Sequence, residues 1–160
     1  MKFKASLLSE YRKLLRTTNI IECYQEFIRL FRYLRIELEK SMPECSFQAN
    51  IAENEMEYSY FLFTNEKLKE KGLKLAVVFI HRDFKLEVWL SGFNRKIQAK
   101  YYDLLKNRNT GFELADDPAR RDYLLRVGLN ESADSTEASL LLDRIKSVSN
   151  ELIELAEKLD

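Results

Sequence analysis

The chain has 160 residues, of which 46% are hydrophobic and 32% are charged, with only four glycines and two prolines. This length suits one domain over residues 1–160 with a substantial core, and the composition excludes fibrous and extensively disordered proteins. The 26 basic and 26 acidic residues balance, which argues against a dedicated nucleic-acid-binding protein. Charges interrupt the apolar residues near the N-terminus, so no signal peptide or membrane span is predicted; we expect a cytoplasmic protein with no membrane partner.

Two helices are predicted at the start of the chain, because apolar residues recur there with a period near 3.6. The second begins after Asn19 and ends before Pro43, since the residue preceding a proline avoids the helical region. We expect both helices to pack on one face of a sheet. The apolar stripe of the first helix consists of Leu7, Leu8, Tyr11, Leu14 and Leu15.

The apolar period changes to two after Pro43, which indicates β structure. Alternation over residues 47–52 and again over residues 56–62 predicts a hairpin. The connection from Thr64 to Gly72 then carries lysines before a terminal glycine, which is typical of a short helix closed by that glycine.

A central hairpin over residues 73–91 turns around Arg82 and Asp83. Its register follows from alternation, because successive strand side chains point to opposite faces. One face is apolar and predicts core, with Phe79 opposite Leu86, Val77 opposite Val88, and Leu75 opposite Leu90. The other face is mixed, with Ile80 opposite Lys85, Val78 opposite Glu87, Ala76 opposite Trp89, and Lys74 opposite Ser91.

Helical periodicity returns after the central hairpin. Asn94 is expected to cap a helix that runs towards Leu105. The signal over residues 108–135 is weak: the sequence Asp116-Asp117-Pro118 indicates a helix start, and residues 123–129 could be strand or helix. The last helix, residues 138–159, has a seam of apolar residues spaced by threes and fours. This seam either packs along the domain, giving a monomer, or forms a weak homodimer.

Together these elements predict an α/β protein of the α+β type. We expect a two-layer sandwich with a mostly antiparallel sheet of about four strands, N-terminal helices on one face and a long C-terminal helix. The mixed face of the central hairpin would then stay partly open and is the expected place for a site.

The run AVVFIHRDFKLEVWLSGFNRKIQAKYYDLL, residues 76–105, resembles an uncharacterised bacterial family of small cytoplasmic proteins with a domain of unknown function. Members share a string FIH, a short gap, V-W-L-x-G-x-N and then Q-A-K-Y. The resemblance implies an α/β domain of bacterial origin. It implies no activity, and it transfers no catalytic residue to this chain.

A ligand site is predicted on the mixed face, where an aromatic wall meets several polar groups, as in many small-molecule pockets. The partner would be a small anionic ligand or a protein, and the domain would have a binding or regulatory role. The alternative is a buried ion pair that ties helix to sheet, between Glu87 and Arg95 or, as second choice, Lys85. The candidate ligand-binding residues are Glu87, Trp89, Asn94, Arg95, Gln98 and Lys85.

Charge is unevenly distributed along the neutral chain. Residues 64–108 carry eleven basic against five acidic side chains, whereas residues 109–160 carry six against twelve. Intramolecular pairing of an acidic last helix with the basic middle explains this pattern. The alternative is an anion-binding patch; its candidate residues are Lys74, Lys85, Arg95, Lys96 and Lys100.

No motif for catalysis, metal binding or a cofactor is predicted, so the chain is not assigned as an enzyme. Cys23 and Cys45 have no metal-type spacing and are expected as free thiols, and His81 is expected to make local hydrogen bonds in a turn. One enzyme alternative is a metal-dependent nuclease using Glu87, Lys85 and Glu57, although the order of lysine and glutamate is reversed from the usual one. A helix-mediated interaction protein is the third class of function.

Overall fold

The computed structural model describes residues 2–129 and 138–160. Within these ranges the chain forms five helices and one sheet of seven strands, in which all the neighbouring strands are antiparallel. The chain divides into two compact units, Met1–Leu34 and Arg35–Asp160. The predicted α+β class and the antiparallel sheet are therefore confirmed, whereas the sandwich arrangement stays a prediction.

The first unit contains helix α1 (Ala5–Thr17) and the beginning of helix α2 (Ile20–Ser41). Both predicted N-terminal helices are thus confirmed, and α2 ends two residues before Pro43, as the proline requires. Helix α1 is amphipathic, yet none of its residues is buried. The packing of these helices on a sheet face stays a prediction.

The first hairpin differs from its prediction. Strands β1 (Cys45–Phe47) and β2 (Ala52–Asn54) both pair with strand β3 (Tyr58–Asn65), so the single strand expected over residues 47–52 is divided. The division follows from the hydrogen bonds of Gln48. Its N–H donates to the carbonyl of Leu62 at 2.9 Å, but its own carbonyl accepts from Arg35 Nε at 2.7 Å, which takes that group out of the β ladder.

The short helix and the central hairpin agree with the sequence analysis. Helix α3 (Glu66–Glu70) is followed by Gly72 at φ +72°, a left-handed conformation that glycine adopts without strain. Strands β4 (Leu73–Ile80) and β5 (Lys85–Gly92) have the predicted register in all seven pairs. The apolar face of the hairpin is fully buried, which confirms it as core.

The sheet has more strands than expected because the weakly patterned region adds two. Strand β7 (Leu125–Gly128) pairs with β5, and strand β6 (Glu113–Leu114) pairs with β7. The open choice over residues 123–129 therefore resolves to strand, and the expectation of about four strands is wrong. The helix start at 116–118 is also wrong, since residues 118–120 form only a turn. Residues 130–135 of this region lie outside the described residues.

Helix α4 (Arg95–Leu105) follows β5, and helix α5 (Ala138–Glu157) contacts β5 and α3. The seam of α5 is buried within the single chain, at Leu141, Ile145, Val148 and Leu152. Ion pairs of Lys67 with Glu157 at 3.0 Å and of Arg95 with Asp122 at 2.7 Å join the basic middle to the acidic part of the chain. Among the helices that the structure describes, none combines the length and apolar character needed to cross a bilayer.

Candidate ligand-binding site

A cavity of about 400 Å³ opens on the mixed face of the sheet, entirely within the second unit. Strands β3, β4 and β5 form its floor, and the turn from β5 into α4 forms one wall together with Asp122. This volume falls in the range of small-molecule sites. The aromatic and aliphatic residues that line it are Tyr58, Tyr60, Leu62, Ala76, Val78, Trp89 and Phe93.

Trp89, the only tryptophan of the chain, is fixed by contacts on several sides. Tyr58 meets its ring edge-on at a centroid distance of 5.9 Å, and the Tyr123 ring lies at 5.2 Å. Its indole N–H donates to Glu87 Oε2 at 2.6 Å. Burial leaves only 9% of Trp89 exposed, so the indole presents a rigid, preformed surface to the cavity.

Glu87 is 1% exposed and its partners differ from the first prediction. The predicted pair with Arg95 is wrong, whereas Lys85, the second choice, is confirmed: Lys85 Nζ lies 2.9 Å from Glu87 Oε1. A guanidinium nitrogen of Arg126 lies 3.8 Å from the other oxygen. Gly128, opposite Glu87 in the sheet, leaves room for this arrangement, because a Cβ there would stand 2.6 Å from Lys85 Cε.

Arg95 is not among the ion-pair partners of Glu87, and it instead pairs with Asp122 at 2.7 Å. It also donates to the carbonyl of Arg121. Gln98, which is 2% exposed, donates to the same carbonyl at 2.6 Å and to that of Tyr123 at 3.2 Å. These two side chains therefore tie α4 to the segment that leads into β7 and so build a wall of the cavity.

The corner between β5 and α4 depends on a close backbone approach. Asn94 caps the helix, accepting the N–H of Ile97 at 2.9 Å, as predicted. The N–H of Gly92 donates to the side-chain oxygen of Gln98 at 3.1 Å. A Cβ at Gly92 would lie 2.8 Å from the backbone nitrogen of Gln98, so the helix could not begin here beside a larger residue.

The structure thus brings four of the six candidate residues to the lining of one cavity, namely Trp89, Asn94, Arg95 and Gln98. Glu87 and Lys85 lie outside the lining, and Glu87 acts on it only through the indole of Trp89. The cavity-lining residues of the first hairpin, Tyr58, Tyr60 and Leu62 among them, were missed as site residues. The alternation Tyr58, Tyr60, Leu62 was the available signal, because these side chains share the face of Ala76 and Val78.

Four polar side chains in the lining have no hydrogen bond or ion pair to any residue that the structure describes. They are the side chains of Asn54, Tyr58, Tyr60 and Lys74. Lys74 belonged to the predicted basic patch, whereas Lys96 and Lys100 are exposed on α4 and do not line the cavity. With respect to the described residues, the cavity therefore offers a ligand one cation without an ion pair, Lys74, and several hydrogen-bonding groups.

The nuclease alternative gains no support from the geometry. Both oxygens of Glu87 are engaged by Lys85 and Trp89 in a buried position, and Glu57 is exposed in the turn before β3. Over the described residues, no group of three or more histidine, cysteine, aspartate or glutamate residues could hold a metal ion. Both cysteines are free, and burial raises the pKa of the Cys45 thiol to about 11, which disfavours a thiolate there at neutral pH.

His81 also contacts neighbouring side chains of the fold. It lies in the turn of the central hairpin, and its Nε2 is 2.8 Å from the hydroxyl of Ser59, which is completely buried. The Phe79 ring meets the imidazole edge-on at 5.0 Å. Burial lowers the pKa of His81 below its ordinary value.

The lowered pKa of His81 predicts that the folded protein becomes less stable in mild acid. The unfolded chain takes up a proton near the ordinary pKa of about 6.5, while the folded chain resists it until lower pH, so protonation favours unfolding. We expect the free energy of unfolding, measured with urea, to decrease between pH 7.5 and 5.5. His81 is the only histidine, so His81→Gln should remove this decrease. A stability that rises over the same interval would contradict the prediction.

The fold and cavity define an α+β domain with a preformed, aromatic-walled pocket on an antiparallel sheet. Residues 4–159 match a family model described as a domain of unknown function (DUF7000), and the chain belongs to that family. The match confirms the expected membership in an uncharacterised family. None of the curated proteins and none of the solved structures matches the chain.

Proposed function

We propose that this chain is a bacterial, cytoplasmic, single-domain protein that binds a small ligand in the pocket on its sheet, in a binding or regulatory role. The supporting observation is the cavity of about 400 Å³ beside Trp89, with polar groups that the described fold leaves uncommitted. Polar groups placed around an apolar cavity can fix the orientation of a ligand, and preformed aromatic surfaces lose little entropy on binding. The candidate contacts are Trp89 and Asn94, with Arg95 and Gln98 holding the wall.

A ligand screen with a blocked variant tests this proposal. A binding ligand raises the melting temperature of the protein and changes the fluorescence of Trp89, the single tryptophan. Ala76 lies on the cavity floor and is 4% exposed. Ala76→Leu should fill the space and abolish both signals, whereas Ala99→Leu, the same change at an exposed position of α4 outside the lining, should retain them.

Two results would contradict the proposal. One is a broad metabolite library that leaves the melting temperature of the wild-type protein unchanged throughout. The other is a ligand that binds Ala76→Leu as tightly as the wild type, since binding would then occur elsewhere.

A further inference from the structure

The charges that line the pocket restrict the chemical class of the ligand more narrowly than the volume of the cavity does. Three charged side chains line the cavity: Lys74, Arg95 and Asp122. Arg95 and Asp122 neutralise each other at 2.7 Å. Lys74 has no ion pair or hydrogen bond to the part of the chain that the structure describes, so the lining carries one uncompensated positive charge.

The position of Lys74 makes this charge useful to a ligand. It is half-buried on β4, next to Ala76 on the same face and opposite Ser91 of β5. The hydroxyl of Ser91 donates to the carbonyl of Asp122 at 2.7 Å, and no hydrogen bond joins it to the Lys74 ammonium. A partly desolvated ammonium without a partner favours an anion, because charge-assisted hydrogen bonds are stronger than neutral ones.

The remaining lining favours a flat, apolar body. Tyr58, Trp89 and Phe93 line the cavity together with Ala76 and Val78, and aromatic rings stack or meet edge-on with aromatic ligands. A polyphosphate would need several cations, and the lining provides one, Lys74, that has no ion pair to the described residues. We infer that the pocket takes a monocarboxylate with a flat aromatic ring, the ring lying among Tyr58, Trp89 and Phe93 and the carboxylate on the Lys74 ammonium. This inference rests on the proposed function.

Phenylacetate and its uncharged analogue phenylacetamide provide the test, because they differ in charge but hardly in shape. Binding is measured by calorimetry and by the fluorescence of Trp89. We expect the wild-type protein to bind phenylacetate at least tenfold more tightly than the amide. Lys74→Met should remove that preference by weakening phenylacetate about tenfold, with the amide unchanged. Lys96→Met, an equal loss of charge on exposed α4 outside the lining, should retain the wild-type preference.

Lys74→Gln serves as a second variant, and circular dichroism checks that each variant is folded. Equal affinity for the acid and the amide overturns the inference of an anionic ligand but leaves the pocket intact. Tighter binding of adenosine diphosphate than of phenylacetate, sensitive to Lys74→Met, overturns the monocarboxylate. If neither probe binds, the inference fails. The proposed function fails with it only if the metabolite library also gives no ligand that Ala76→Leu excludes.

Discussion

Replacing Val148 by aspartate is expected to unfold the second unit of the protein. Val148 lies on the buried side of α5 and is 3% exposed in the single chain. The variant would bury a carboxylate without a partner, at a cost of roughly 4 kcal/mol or more, a large part of the stability of a typical domain. Circular dichroism during urea titration should show loss of the cooperative transition.

Leu140→Asp is the matched control for this experiment. Leu140 lies on the same helix but is 55% exposed, and an acidic side chain near a helix N-terminus is favourable. Its stability should stay within about 0.5 kcal/mol of the wild type. The competing hypothesis of a homodimer through α5 predicts a different result: sedimentation would then give a dimeric wild type and a folded, monomeric Val148→Asp.

The part of the fold that the sequence predicts well is the part determined by local patterns. In the central hairpin, a shift of one residue would have exchanged an apolar face for a mixed one, so only one register was acceptable. The caps at Asn94 and Gly72 are equally local, since each depends on the residue type and its immediate neighbours. These predictions needed no knowledge of distant segments.

The partner of Glu87 shows where such reasoning fails. Arg95 was favoured because it follows the strand closely in sequence, but it pairs with Asp122 on a segment 27 residues away. Lys85 reaches Glu87 by lying across Gly128. The strand that contains Gly128 had no clear pattern, so the space it provides could not be anticipated.

The residues that build the wall of the pocket could not be predicted for a similar reason. Gln98 holds the segment before β7 through backbone carbonyls of Arg121 and Tyr123. Carbonyl groups carry no sequence signal, because every residue has one. Gln98 and Arg95 were therefore identified as candidate ligand contacts, whereas their polar groups are used mainly to build the site. The described fold leaves the polar groups of Lys74 and Tyr60 uncommitted. Lys74 was a candidate only for the alternative anion-binding patch, and Tyr60 was not identified.

Replacing Glu87 by alanine is expected to lower the free energy of unfolding by about 2–4 kcal/mol. The change leaves the buried indole N–H of Trp89 without its acceptor and removes the partner of Lys85. Glu87→Gln retains an oxygen for the indole while losing the charge, so it should cost less, about 1–2 kcal/mol. Urea unfolding measures both values, and the chemical shift of the single indole proton reports the hydrogen bond directly.

The same two variants separate two roles of Glu87: its hydrogen bond to the Trp89 indole and its negative charge. If the carboxylate acts on the pocket by fixing the indole, Glu87→Ala should weaken ligand binding and Glu87→Gln should largely preserve it. Glu113→Gln is the control, because Glu113 is an exposed partner of Arg126 and its loss should change stability by no more than about 0.5 kcal/mol. A Glu87→Ala variant as stable as the wild type would instead mean that the desolvation of the buried carboxylate cancels everything its hydrogen bond and ion pairs contribute.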